Sequence, residues 1–216
     1  ALKDSDPKVL ISALNALAKL RAYDAEPEII ALLAHTAPAV RSAALSSLRQ
    51  LGSEASVEHI SRRLSDPVPK VRHHAIVTLA YLSPDRASTS ITGLLNDPDE
   101  EVVLYAIEAL VGIGGQTTVF ALLEKIKAPS IKIQLATVAG LGNLGDERAV
   151  RPLTAILNSG GPEIRDAAVG ALGKLRDPTA TPHLISTLWR HQHGELAPRV
   201  IDALALIRDP SATAPL

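Results

Sequence analysis

Apolar residues recur along the chain with two superposed periods, one of three to four residues and one of 31. Val9, Val40, Val71, Val102, Ile133 and Ile164 stand 31 apart, as do Leu17, Leu48, Leu79, Leu110, Leu141 and Leu172. Ala13, Ala44, Ala75, Ala106, Thr137 and Ala168 fall between them, and Leu20, Leu51, Leu82, Ile113, Leu144 and Leu175 close each unit. Offsets of 4, 4 and 3 residues trace one face of an α-helix. A second set in shared phase, from Ile29, Ile60 and Ile91 to Leu122, Leu153 and Leu184, predicts another helix ahead of each of these.

Each unit is therefore helix A, a short turn and helix B. The turns carry Asp66-Pro67, Asp97-Pro98 and Ala128-Pro129, because proline cannot continue the preceding helix. Helix B opens on Pro7, Pro38, Pro69 and Pro162, and several copies stop at Gly52, Gly114 and Gly145. Units break near 34/35, 65/66, 96/97, 127/128, 158/159 and 190. Ordering one unit costs about 1–2 kcal/mol per residue in backbone entropy, against roughly 1.5–3 kcal/mol returned by each buried leucine, so units must stack. Leu14, Leu45, Ile76, Ile107, Val138 and Val169 lie about 100° off the main stripe, as a helix touching both neighbours requires. The register slips by one residue within the polar stretch from Trp189 to Glu195. Residues 1–216 read as one array whose two ends cut through a repeat, and the chain has no methionine. The expectation is a segment of a longer protein with other domains.

Composition narrows the function. Hydrophobic residues make up 46% of the chain but aromatics only 2%, so Ala, Leu, Ile and Val must fill closely packed helices. A net charge of −1 gives no general attraction to nucleic acid or anionic membranes, and neither is expected as a partner. No cysteine is present for a disulfide, thiolate metal site or nucleophile. No apolar run reaches the roughly 20 residues of a membrane span, and Ala1-Leu2-Lys3-Asp4 has no signal-peptide core, which gives a cytoplasmic expectation.

The recurring pattern Pro-x-Val-Arg-x-x-Ala-(Leu/Ile)-x-x-Leu-x-x-Leu, in Pro38 to Leu51 and Pro69 to Leu82, resembles the short HEAT-like repeat of phycobilin lyases and many bacterial scaffold proteins. The resemblance covers nearly the whole chain. It implies an all-α fold, a right-handed α-solenoid of about seven two-helix HEAT-like repeats of 31 residues. Function does not follow from it, because the fold hosts unrelated activities. Deoxyhypusine hydroxylase holds two irons on paired His-Glu motifs, and this chain has His73-His74 but no His-Glu dipeptide. HEAT-like alkylpurine DNA glycosylases use a basic, aromatic concave face that one tryptophan and near-neutral charge do not supply.

Local chemistry is sparse. His191, His193 and Glu195 are spaced to offer a metal two imidazoles and a carboxylate; a solvated loop is the simpler reading, since such a loop has no fixed geometry. His73 and His74 point about 100° apart on a helix and cannot chelate together. Gly140-Leu141-Gly142-Asn143-Leu144-Gly145 fits G-x-G-x-x-G but ends a helix, so its glycines are read as close packing and a helix stop. Arg41, Arg72 and Arg165 share one repeat position, either as an anion-binding ladder or as partners of turn carboxylates such as Asp66, Asp97 and Asp99. No cofactor is implied, and no catalytic set can be assigned.

In HEAT-like solenoids the B helices line the concave side. At the positions opposite the core stripe, the middle repeats collect His73, Val77, Ala80, Leu104, Glu108, Val111 and Leu135, with Tyr81 and Tyr105 at the edges. A contiguous apolar patch marks a contact site unless curvature buries it. Arg41, Arg49 and Arg72 would form a basic flank to this groove. The leading expectation is a non-enzymatic scaffold module binding a peptide or helix there. The alternative is a phycobilin lyase-like, chromophore-handling protein using the same groove, with His73, Glu108 or Tyr81 moving protons.

Overall fold

Proline at the first helical position, with leucines every three to four residues behind it, produces α1 (Pro7–Leu20), α3 (Pro38–Leu51), α5 (Pro69–Leu82) and α11 (Pro162–Leu175). The computed structural model describes residues 2–191 and 194–213. Three further B helices are α7 (Glu100–Ile113), α9 (Ile131–Leu144) and α13 (Leu196–Ile207). The shorter A helices are α2 (Glu26–Ala31), α4 (Glu54–Ser61), α6 (Pro84–Thr92), α8 (Gln116–Lys125), α10 (Val150–Ser159) and α12 (Thr181–Arg190). Among the described residues the fold is all-α, with no strand.

The chain divides into two compact units, one ending at Ile113 and the other beginning at Gly114. In the first, α1, α3, α5 and α7 pack in sequence, with α2, α4 and α6 against α3, α5 and α7. In the second, α9, α11 and α13 pack in sequence, backed by α8, α10 and α12. Leu14, Leu45, Ile76 and Ile107 are buried along the first stack, as the obligatory contact with both neighbours demands. Ser47 and Thr78 add hydroxyl bonds to the carbonyls of Leu14 and Leu45, both 3.1 Å, tying each helix to the preceding one. Two positions read as core are exposed instead: Val9, and Leu20 at 77%. Both lie on α1.

The arginine position belongs to the turns. Arg41 is only 7% exposed. Its Nε and Nη2 donate to the Asp66 carboxylate at 2.8 and 2.7 Å, and Nη1 donates to the carbonyls of His35 and Thr36. Arg72 repeats the arrangement on Asp97, at 2.8 and 2.6 Å, and its Nη1 donates to the Asp66 carbonyl. Both guanidiniums are spent holding consecutive turns together, so neither flanks a groove. Arg165, without an aspartate 25 residues on, caps α10 through the carbonyls of Leu157 and Gly160.

Several B helices end on a residue in the left-handed region, glycine in some and arginine in others. Gly145 ends α9 in the left-handed region at φ 69°, and Arg21, Arg176 and Arg208 occupy the equivalent position at φ 53°, 55° and 60°. A side chain in this region costs about 1–2 kcal/mol, offset by the entropy glycine adds to the unfolded chain, about 0.4–1 kcal/mol. Arg176→Gly is expected to raise the unfolding free energy by about 0.5–1 kcal/mol in urea titration.

Candidate functional site

α5 sits between α3 and α7 in the first unit, and the three helices bound a cleft of about 940 Å³. Local sequence fixes the walls. α5 starts on Pro69; α7 is preceded by Asp99, whose carboxylate accepts from the Glu101 and Val102 amides at 3.0 and 3.3 Å, and opens with acidic residues that suit a helix N-terminus.

α5 contributes His73, Val77, Ala80 and Tyr81; α7 contributes Tyr105, Glu108, Ala109, Gly112 and Ile113; α3 contributes Arg49 and Gln50; and Pro84 closes one end. The His73 and Tyr105 rings stack, with centroids 3.4 Å apart and planes 8° from parallel. Tyr81 stands 70% exposed at the edge. A smaller cavity of about 200 Å³, lined by Ser46, Arg49, His73, His74, Val77 and Thr78, borders the same residues.

Burial holds the His73 pKa below its ordinary value, and the neighbouring charges of His74 and Lys70 push the same way. The ring is therefore neutral near pH 7. His74 lies 5.2 Å from it, with its own Nδ1 turned to the Lys70 carbonyl at 2.7 Å.

Of the residues singled out from sequence, His73, Val77, Ala80, Tyr81, Tyr105, Glu108 and Arg49 meet at this cleft. Leu104 and Val111 are half-buried on α7 and are not among its lining residues, and Leu135 is half-buried on α9, in the second unit. Arg41 and Arg72 are in the turns. Gln50, Pro84, Ala109, Gly112 and Ile113 were not anticipated. On α7 the lining residues Tyr105, Glu108, Ala109 and Gly112 form an i, i+3, i+4, i+7 stripe one residue round from the expected one.

His193, of the metal candidate, lies outside the described residues; His191 is half-buried and Glu195 exposed. Among the described residues no group of three or more His, Asp or Glu side chains is placed to share a metal ion. No described helix is long and apolar enough to cross a membrane.

The second unit has a cleft of about 750 Å³ lined by α10 and α12 residues together with Glu147, Arg148, Asp177 and Thr179. Arg148 forms a two-bond pair with Asp146 at 2.7 and 2.6 Å, with its guanidinium 4.6 Å from the centre of the Phe120 ring. The Arg148 hydrogen bonds outweigh burial and hold the Asp146 pKa below its ordinary value.

Human deoxyhypusine hydroxylase, in complex with glycerol, is 21% identical and superposes with a TM-score of 0.51 over 96% of this chain and 82% of its own. The CpcE–CpcF complex of phycocyanin lyase from Nostoc sp. PCC7120 is 21% identical, with a TM-score of 0.57 over 95% and 91% of the two chains. A designed armadillo repeat protein in complex with the peptide (KR)4 is 17% identical, with a TM-score of 0.59 over 84% and 99%. Likeness at these identities extends to the fold alone. No curated protein sequence matches the chain. The family model for HEAT repeats matches residues 1–68, 57–126 and 119–205, and the chain belongs to the HEAT-repeat family.

Proposed function

We propose that this protein is a non-enzymatic interaction module that binds a peptide or helix of a protein partner in the cleft over α5. The supporting observation is the cleft itself: about 940 Å³, floored by Val77, Ala80 and Ala109 and edged by Tyr81 and Tyr105. Aromatic residues around an apolar floor are the composition of an interface core. The designed armadillo neighbour carries a peptide on a related repeat fold.

Gly112 provides the test. It lines the cleft from within α7, and a Cβ added there meets nothing within 4 Å. Gly112→Trp fills the cleft while replacing a helical glycine, so stability is expected to hold or rise. Amphipathic helical peptides selected by display on the wild-type protein are expected to bind Gly112→Trp at least about tenfold more weakly, a loss of roughly 1.4 kcal/mol. Selected peptides that bind both proteins equally, or a selection yielding none, would overturn the reading. Absorbance changes on adding a free bilin, lost in the same variant, would favour the chromophore-handling alternative.

A further inference from the structure

The walls of the cleft differ in charge. Arg49 on α3 is the one arginine or lysine lining it, and Glu108 on α7 the one carboxylate. Both are exposed, and neither makes a hydrogen bond or ion pair among the described residues. Five of the six other arginines of this unit are engaged: Arg41 and Arg63 with Asp66, Arg62 with Glu58, Arg72 with Asp97 and Arg86 with Glu54. His73 stays neutral for the reasons given above, so it does not duplicate Arg49 near pH 7.

Packed helices lie about 8–10 Å apart, which sets α3 and α7 roughly 16–20 Å from each other across α5. A helix about 10–12 Å across, laid over α5 at the same packing distance, then stands roughly 11–14 Å from the axes of α3 and α7, with the arms of Arg49 and Glu108 on either side. An extended strand sends alternate side chains to opposite faces, so it cannot turn an apolar stripe and both of its borders into one cleft.

Resting on the reading of the cleft as a binding site, we propose that its partner is an amphipathic α-helix with carboxylates along one border of its apolar stripe and cations along the other. The carboxylates meet Arg49 and the cations meet Glu108. Reversing a helix end for end exchanges its two borders, so the unlike walls also fix the direction in which the partner runs.

Three synthetic amphipathic helices with one apolar stripe test this: one bordered by Glu and Lys, one by Glu on both sides and one by Lys on both sides. Affinities are measured by fluorescence anisotropy at low salt. The mixed peptide is expected to bind the wild-type protein about fivefold or more tighter than either other. Glu108→Lys is expected to shift the preference to the all-Glu peptide, and Arg49→Glu to the all-Lys peptide. Both substitutions are at exposed positions, and thermal melts report whether they leave the fold intact. Binding of all three peptides within twofold, lost in Gly112→Trp, overturns the charge selection and leaves the cleft standing as a binding site. Failure of all three to bind the wild type overturns occupancy by a helix as well.

Discussion

Asp66→Ala is expected to lower the unfolding free energy by about 3–5 kcal/mol, the usual loss when one partner of a buried charge pair is removed. Asp66 is 3% exposed and holds three groups: Arg41 through two bonds, Arg63 at 3.5 Å and the Val68 amide at 3.0 Å. Removing the carboxylate leaves the Arg41 guanidinium buried without its counter-charge and uncaps the turn before α5. Asp66→Asn keeps an acceptor for Val68 and should lose less. Chemical denaturation of the three proteins measures the order. Val103 is buried at the repeat position of Arg41, and Ala128 stands two repeats on from Asp66. Accordingly Arg41→Val combined with Asp66→Ala should be more stable than Asp66→Ala alone, because no orphaned charge remains.

The same carboxylate gives this difference a pH dependence. Burial pushes the Asp66 pKa up, but the Arg41 hydrogen bonds, the Val68 amide and the charges of Arg41 and Arg63 together hold it below the ordinary 3.8. As pH falls past that value, the unfolded chain takes up the proton first, and the stabilisation is lost as pH drops through the folded value. The gap between wild type and Asp66→Ala should therefore be full above about pH 5 and narrow in acid.

The helices were legible because burial repeats: Ile29, Ile60 and Ile91 meet the same environment in every unit, and each is fully buried. The turn pairing was legible for the same reason, since Arg41 and Arg72 stand 25 residues before Asp66 and Asp97. The site is not a repeated feature, and there the reading was partial. His73 and Tyr81 stood out as departures from the repeat. Gly112 did not, although its position carries Lys19, Gln50, Tyr81, Asn143 and Lys174 elsewhere, because what matters is a missing side chain. Leu104 and Val111 were drawn into the groove because helical phase gives the angle of a residue on its own helix. It does not give the angle from which a neighbouring helix views it.

Gly142→Ala should have the opposite effect to the same change at Gly112, and the comparison isolates packing from helix propensity. Both glycines lie inside helices, where alanine is favoured by about 1 kcal/mol. At Gly112 an added Cβ meets open space, so that gain should appear as increased stability. At Gly142 it would stand 2.8 Å from both Cα and Cβ of Ala171 on α11, well inside the usual 3.5–4.0 Å carbon contact. Ala171 Cα is backbone and cannot rotate away, so α9 and α11 must separate. Overpacking of this kind costs about 1–3 kcal/mol and sometimes more, which exceeds the propensity gain. Leu141 and Val138, fully buried on the same helix, would lose contacts as the helices part, adding to the loss. Equilibrium unfolding should show Gly142→Ala less stable than wild type by about 1–3 kcal/mol and Gly112→Ala more stable by up to about 1 kcal/mol. Two shifts of the same sign would mean that α9 and α11 do not approach as closely as described.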